Sequence, residues 1–485
     1  MRRGKAPSVP IMKGKGQAMR NKRFLVGVLA LGLCAIGLLG TAIARTQTIQ
    51  GARTIAITGV AFQAIVDGRD GRVFLPEPGS IQIVDTQQGV TLPPVPLRGA
   101  MSPPNIQLDD QQARLFVQTR GPAIGMSAVD TVYMLDTRRG GVLGTLPLAR
   151  GESVSQLAVD TRTGRVFVFT AARRLYVFDA STGRHIAVVT LWRGDRTPKP
   201  APGTPADTLV IDHRTGMVVV TESDQAVLYA LDGTSGRLFW TTGVPAQRGQ
   251  AGPTLWLPVI DETTGRLVVD DTSTGTVHVL DLRTGHPARY MTQVNPGRVD
   301  MVAVQRTGRA FVFYGGHIDV IDTTSGRLVH TTVLGQTYDL EPATVVQGAG
   351  RVLVTNYRTQ TMDVLDGTSG RIVNTIPLRS PGAPVVDERT GQVLLATRTS
   401  GINVLDTRSG RIAPAFQVAA SGYMAPWPML SVDERTGEVI AMTNSAVAPL
   451  DRWSWIPARV RSIIPFLPAP TTYTGASLSV LVPAQ

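Results

Sequence analysis

An aspartate at the end of a short apolar run, followed two to four residues later by Thr or Ser and then Gly, recurs along nearly the whole chain. It reads VFDASTGR at 177–184, ALDGTSGR at 230–237, VIDTTSGR at 320–327, VLDGTSGR at 364–371 and VLDTRSGR at 404–411. A second series interleaves with it: VDTRTGR at 159–165, IDETTGR at 260–266, VDERTGQ at 386–392 and VDERTGE at 432–438. Such a repeat decides the architecture before any single residue does, because each copy is one supersecondary unit that buries its faces only against its neighbours.

Residues 154–191 show the unit in full: VSQLAVD, the turn TRTG, RVFVFT, a break, RLYVFD, the turn ASTG, then HIAVVTL. These are four β-rich runs with tight turns inside the first and last pairs. The Asp carboxylate accepts N–H groups two and three residues on and so starts a turn. The Gly supplies the positive φ that closes it. These aspartates are therefore expected to be hairpin devices and not catalysts. Four antiparallel strands at a period in the forties predict a blade of a β-propeller.

The first-hairpin Gly falls at 71, 164, 216, 265, 308, 350, 391 and 437, with Ala113 in the second copy; the second-hairpin Gly falls at 89, 140, 183, 236, 285, 326, 370 and 410. Eight units are complete. A ninth has MLSVD (429–433), EVIAMT (438–443) and SLSVLV (477–482), and lacks a fourth run. TIAIT at 54–58 precedes the first unit and belongs to none. Pairing it with 477–482 closes the ring and removes the exposed sheet edge. The expectation is an all-β chain, one propeller of nine blades by repeat count with eight as the fallback, closed between its two ends.

The segment VLVTNYRTQTMDVLDGTSGRIVNTIPL (352–378), through Val354-Thr355-Asn356, Val364-Leu365-Asp366 and Thr368-Ser369-Gly370, resembles the YVTN-type repeat of bacterial surface-layer and extracytoplasmic propellers. That resemblance implies the propeller fold and a cell-surface or periplasmic binding or scaffolding role. It implies no particular chemistry.

The formal charge of +12 invites a nucleic-acid reading, but eight of those charges are Arg2, Arg3, Lys5, Lys13, Lys15, Arg20, Lys22 and Arg23, in a stretch without acids. The remaining +4 is spread over 24–485, without RNA-type aromatic motifs, so no nucleic-acid partner is expected. Residues 24–44 carry no charge and as a helix would span about 30 Å, a bilayer core. The division expected is a basic cytoplasmic tail (1–23), a transmembrane helix (24–44), a linker (45–53) and the propeller (54–485) with an insertion at 444–476. The flanking cations put everything after Ala44 outside the cell membrane as a single-pass protein. Ala42-Ile43-Ala44 also fits a signal-peptidase site, and cleavage after it would secrete the propeller instead. The single cysteine, Cys34, lies in this apolar run, so the propeller has no disulfide.

In a four-stranded blade the two hairpins lie on one face. The second-to-third turns and the blade-to-blade links lie on the other. Here the hairpins are constant and the other connections vary, as in 119–131, 192–207, 244–254, 334–343, 419–428 and 444–476. Variable loops on a rigid scaffold are where binding resides. Arg165, Arg184, Arg237, Arg266, Arg309, Arg327, Arg351, Arg371 and Arg411 fall on the hairpin face and are expected to be solvated or paired with hairpin acids. The insertion segment 449–473 mixes aromatic, aliphatic and Arg residues between prolines. Such a mixture suits an interface, although packing against a blade or the channel would also account for it. The candidate binding residues are Trp453, Trp455, Arg459 and Phe466, with Tyr423 and Trp427 on the preceding loop.

No HExxH, paired-Cys metal motif, Gly-x-Ser-x-Gly or phosphate loop occurs, and the six histidines do not pair at ligand spacing. No catalytic residue, metal or cofactor is expected. Residues 230–240, ending in Trp240, resemble the tryptophan-docking repeat of quinoprotein propellers. The Trp occurs once, and it is expected to pack. Three functions stay open: a tethered module binding a protein or glycan, an extracytoplasmic enzyme of lactonase or quinoprotein type, and a structural surface-layer component. An acid or metal cluster at the channel mouth would mark the enzyme, an exposed aromatic patch the binder.

Overall fold

The computed structural model describes residues 49–57, 63–120, 130–191, 208–223, 226–244, 255–271, 275–293, 300–334, 343–356, 358–378, 381–397, 401–407, 411–417, 429–433, 435–447 and 472–483. Among them the chain forms nine four-stranded antiparallel sheets and one short 3-10 turn. Eight sheets are built from consecutive strands. In chain order they occupy 65–96, 100–145, 154–190, 208–243, 255–293, 300–333, 344–377 and 381–417, and are called sheets 1 to 8. The ninth joins Met429–Val432, Val439–Val447 and Thr472–Pro483 to Ile49–Ile57 from the other end of the chain. The fold is a β-propeller.

The two middle strands of each sheet read as continuous apolar runs, RVFVFT and RLYVFD in sheet 3, because both of their faces are covered. The first strand of each sheet lies beside the first strand of the next, or next to it through the second, and the first strand of sheet 9 lies beside that of sheet 1. One apolar cluster fills each of these nine junctions. Phe116, Val132 and Met134 of sheet 2 meet Val166, Val168 and Phe178 of sheet 3. Ile55, Ile57, Ile440, Met442 and Val480 of sheet 9 meet Val73, Leu75 and Val84 of sheet 1. At roughly 1.5–3 kcal/mol for each fully buried large side chain, the junctions hold the sheets face to face.

The terminal strands pair as the repeat count requires, Thr54 opposite Ser479, Ile55 opposite Leu478 and Ile57 opposite Ala476. Two boundaries differ from the sequence reading. The strand starts at Ile49, so residues 49–53, assigned to a linker, belong to the ladder. Residues 444–447 and 472–476, assigned to the insertion, also pair, Asn444 opposite Ala476 and Val447 opposite Thr472. Both are extensions of one long antiparallel ladder, whose polar and small residues carry too little apolar alternation to be read as strand. Residues 24–44 lie outside the described residues. Among those described, no helix is long and apolar enough to cross a membrane.

The turns behave as their chemistry dictates. Every first-hairpin Gly has positive φ, and so does Ala113, at 54°. Where sheet 9 meets sheet 1, Gly68 lies against the Asp433 carboxylate, and any Cβ there would collide with it. Arg435 Nε donates to the Gly68 carbonyl at 2.6 Å and Ser431 Oγ to that of Ala64 at 3.1 Å, across the same seam. Two substitutions should therefore have opposite signs in thermal or denaturant unfolding. Gly68→Ala is expected to destabilise by about 2–4 kcal/mol through the seam. Ala113→Gly is expected to stabilise by about 0.5–1 kcal/mol by relieving a left-handed L-residue.

Candidate binding surface

The two ends of the sheets use their polar groups differently. At the hairpin end they are consumed by the fold. Asp179 Oδ1 accepts the Thr182 N–H at 3.0 Å and the hydroxyls of Ser181 and Thr182 at 2.6 and 2.8 Å. The Ser181 hydrogen bond, with those from Thr182, holds this carboxyl below the usual range against the opposing effect of burial. Its Oδ2 meets Arg165 Nη1 at 3.2 Å. The same Arg–Asp pair recurs as Arg114–Asp136, Arg266–Asp281, Arg309–Asp322 and Arg351–Asp366. Arginines at this position also reach the following sheet: Arg114 and Arg309 Nε donate to the carbonyls of Ser181 and Thr368 at 3.2 Å, and Arg72 Nη1, outside those pairs, to that of Thr137 at 2.6 Å. Arg165, Arg266, Arg309 and Arg351 are thus paired with hairpin acids.

Side chains on the first hairpins also link sheet to sheet. The His213 N–H donates to Glu262 Oε1 at 3.0 Å, Glu262 N–H to Gln305 Oε1 at 2.6 Å, and Gln305 N–H to Gln347 Oε1 at 3.0 Å. Trp240 has the packing role expected of it. Its Nε1–H donates to the Leu282 carbonyl of the next sheet at 2.9 Å, and its ring fills the space a Cβ on Gly285 would need.

At the loop end of sheets 2 to 4, buried carboxylates hold arginines. Asp130 Oδ2 accepts the Val154 N–H at 2.7 Å, Gln118 Nε2 at 3.0 Å and Ser153 Oγ at 3.1 Å, which pins the link from sheet 2 to sheet 3. Arg120 Nε lies 3.5 Å from Oδ1, with 56% of its side chain exposed over a fully buried carboxylate. Glu152 Oε1 accepts Arg174 Nη1 at 2.6 Å and the Tyr176 hydroxyl at 3.2 Å, while Arg174 is 42% exposed. Arg173 pairs with buried Glu222, whose Oε2 accepts the Tyr229 hydroxyl at 2.9 Å. Arg98 and Arg150 are exposed on the adjoining links. Among the described residues at this end of sheets 1 to 4, no acid is exposed: Glu77 is half-buried and Asp130, Glu152 and Glu222 are buried. The outward charge of the described residues here is guanidinium, hydrogen-bonded from below at Arg174 and in ionic contact with a buried carboxylate at Arg120.

Sheet 5 carries a different group. Asp270 is buried, and neither carboxylate oxygen has a hydrogen-bond partner. Burial, with the Asp271 charge beside it, pushes its pKa up to about 7. On the opposite face of the same sheet His278 is buried at mid-strand, pairing with Val269. Burial lowers its pKa, against the pull of Asp271. No group of three or more possible metal ligands assembles among the described residues. An open cavity of about 390 Å³ lies between Gln63, Ile65, Ile106, Val386, Leu430 and Ser431, and no acid lines it.

The sequence-predicted binding residues Trp453, Trp455, Arg459, Phe466, Tyr423 and Trp427 lie outside the described residues. The Arg120–Asp130 and Arg174–Glu152 pairs were not among the expected residues, because Arg120, Asp130 and Arg174 sit at strand ends and Glu152 on a link, where no repeat marks them.

A family model described as outer membrane protein assembly factor BamB matches residues 111–329, a stretch that includes Trp240. Segment 352–378, on which the resemblance to the YVTN-type repeat rests, lies beyond that match. No curated protein matches the chain. Solved structures similar to it include BamB from Moraxella catarrhalis, at 14% identity over 74% of this chain and 99% of that one, with a TM-score of 0.48. The dihydro-heme d1 dehydrogenase NirN in complex with DHE is similar at 15% identity over 74% of each chain, with a TM-score of 0.47. The computationally designed Ika8 protein is similar at 13% identity over 81% of this chain and 96% of that one, also at 0.47.

Asp270 makes stability depend on pH. Its folded pKa lies above the unfolded value near 4, so the folded state holds the extra proton between about pH 4 and 7. Stability should fall as pH rises through that window, by roughly 3–4 kcal/mol at most, and level off above it. In urea unfolding from pH 4 to 8, Asp270→Asn should flatten this slope and be more stable than the parent at pH 8. An unchanged slope would mean that Asp270 ionises freely.

Proposed function

We propose that this chain is a membrane-tethered, extracytoplasmic propeller that binds a protein partner through the loop end of its sheets and serves as a scaffold. The observation that carries this reading is the pair of outward arginines Arg120 and Arg174 on sheets 2 and 3, set against buried carboxylates that the repeat does not need. Burying a charge is costly, and both acids are placed where they fix a guanidinium facing solvent. The family match over 111–329, described as an outer membrane assembly factor, supports an envelope setting and a protein partner. The YVTN-type repeat at 352–378 supports the same setting. The nine sheets are read as nine blades of one closed ring, supported by their nine apolar junctions. Residues 24–44 are read as the anchor, with 1–23 in the cytoplasm, on the strength of the eight cations before Phe24. The apolar and Arg residues of 449–473, above all Trp453, Trp455, Arg459 and Phe466, with Tyr423 and Trp427, are read as a second part of the docking surface.

A photoreactive residue placed at 150 should crosslink a discrete envelope protein in intact cells, and one at 184 on the hairpin end should not. Arg120→Glu with Arg174→Glu should reduce that adduct at least tenfold, as expected for the loss of about 1.4 kcal/mol or more of interface energy. Trp453→Ala with Trp455→Ala should do the same with little change in melting temperature. Equal adducts from 150 and 184 would sink the loop-end reading. A large fall in melting temperature for the Trp variant would assign 449–473 to core packing instead.

A further inference from the structure

The large hydrophobic side chains left exposed are confined to one kind of place. All eleven, among the described residues, lie on fourth strands, the outer edges of the sheets. Nine of them follow the second-hairpin Gly within three residues: Val90, Val142–Leu143, Leu238–Phe239, Leu328–Val329 and Ile372–Val373. At the other end of the same strands or just past them the apolar residues turn inward, and Leu97, Leu146, Val244 and Leu378 are buried. Apart from Val188 at mid-strand and Val333 at the loop end of its strand, the apolar exposure therefore forms a rim at the hairpin end.

A bulge produces the doublets. In sheet 4 Ala230 opposes Trp240 and Leu231 opposes Leu238, so Phe239 is the extra residue; Leu143, Val329 and Val373 hold the same position in sheets 2, 6 and 7. A bulge on an edge strand discourages pairing with another chain, but that purpose is served by a charge or Pro and needs no hydrophobe. Here the bulged residues are Leu, Phe, Val and Val, with Phe239 43% and Val373 50% exposed.

The turns beside this rim are cationic. Arg139, Arg184, Arg237, Arg283 and Arg371 are exposed and ion-pair with no carboxylate among the described residues. Arg237 lies over the Phe239 ring at 5.2 Å. The aspartates in these turns are turned inward onto their own N–H groups. An apolar band below a cationic fringe matches the acyl boundary below the headgroups of an anionic bilayer.

The chain also enters at this end. Val439 follows the Gly437 turn and opposes Leu481, which opposes Ala52, so Ile49 lies at the hairpin end of sheet 9. The uncharged run 24–44 precedes it within a few residues.

We propose that the hairpin-end rim docks on the surface of an anionic phospholipid bilayer, with Phe239, Val329, Val373 and their neighbours at the acyl boundary and the turn arginines on headgroup phosphates. The proposal rests on the tethered reading above for its orientation. The rim presses the hairpin end to the membrane and turns the loop end away from it.

The test uses the full chain with Cys34→Ser, in nanodiscs of equal phosphatidylglycerol and phosphatidylcholine carrying a nitroxide lipid. A fluorophore is attached at Phe239→Cys, Val373→Cys or, at the loop end, Arg150→Cys. Rim labels should be quenched roughly threefold or more than the loop-end label, and less so in pure phosphatidylcholine discs. Arg184→Glu, Arg237→Glu and Arg371→Glu together should remove the difference. Equal quenching at rim and loop end, in chains that co-purify with the discs, overturns the proposal. If the chain does not co-purify with discs, the tether alone has failed. The same labels are then read against added anionic vesicles, where quenching at the rim supports docking and its absence overturns it.

Discussion

The carboxylate at each strand end is the contact on which the rest of this structure depends. One oxygen accepts the turn's own N–H groups, as Asp160 does from Arg162 at 3.1 Å, and the other takes a hydroxyl or an arginine, as Asp160 does from Thr163 at 2.6 Å. A four-stranded sheet with two tight hairpins then forms from local sequence alone, with little loop entropy lost. The sheets are apolar on both sides, so none is stable by itself. Each must bury both faces against neighbours, and only a ring gives every sheet two. The turn arginines and the Glu262–Gln305–Gln347 series fasten those neighbours at the hairpin end, where polar groups are available.

Closure has to join pieces from opposite ends of the chain. The ladder between Ile49–Ile57 and Thr472–Pro483 does so with backbone hydrogen bonds, and the Ile55, Ile57 and Val480 cluster with apolar burial. The seam at Gly68, Arg435 and Ser431 is packed as closely as the other junctions, with no room for a Cβ at Gly68. The first-strand edges of such a ring are short and protected. Its outer edges remain, and the bulges shape them.

The ladder of sheets was legible because the motif states its own turn geometry. Even Ala113, which breaks the Gly pattern, adopts the positive φ that its position in the repeat demands. The orphan run at 54–58 showed its place through a count of runs, not through its own composition. Its extension back to Ile49 was hidden, because IQGAR has no alternation to distinguish strand from linker. The polar network at the loop end was also hidden. Arg120 and Asp130 are unremarkable in sequence and meet as opposed residues of two paired strands, and Glu152 and Val154 join them because the link after sheet 2 folds across the end of its third strand. Asp270 could not be distinguished from an ordinary exposed acid, since its isolation comes from the packing of sheet 5 against its neighbours.

The difference between the two ends has a physical origin in the repeat itself. Hairpin turns must satisfy their own backbone within four or five residues, so their acids are spent locally and their arginines remain at the surface or stitch sheets together. Connections at the other end are free of that duty and vary in length, from 191–207 between sheets 3 and 4 to 378–380 between sheets 7 and 8. Carboxylates placed there can be used to aim side chains instead of closing turns, and Asp130 and Glu152 aim Arg120 and Arg174. A rigid ring makes that aim useful. The cost of burying each acid is met by packing that the repeat already provides, and a guanidinium so held loses less freedom on meeting a partner than one on a mobile loop. The repeat thus accounts for a uniform end suited to an extended surface and a variable end suited to a specific one.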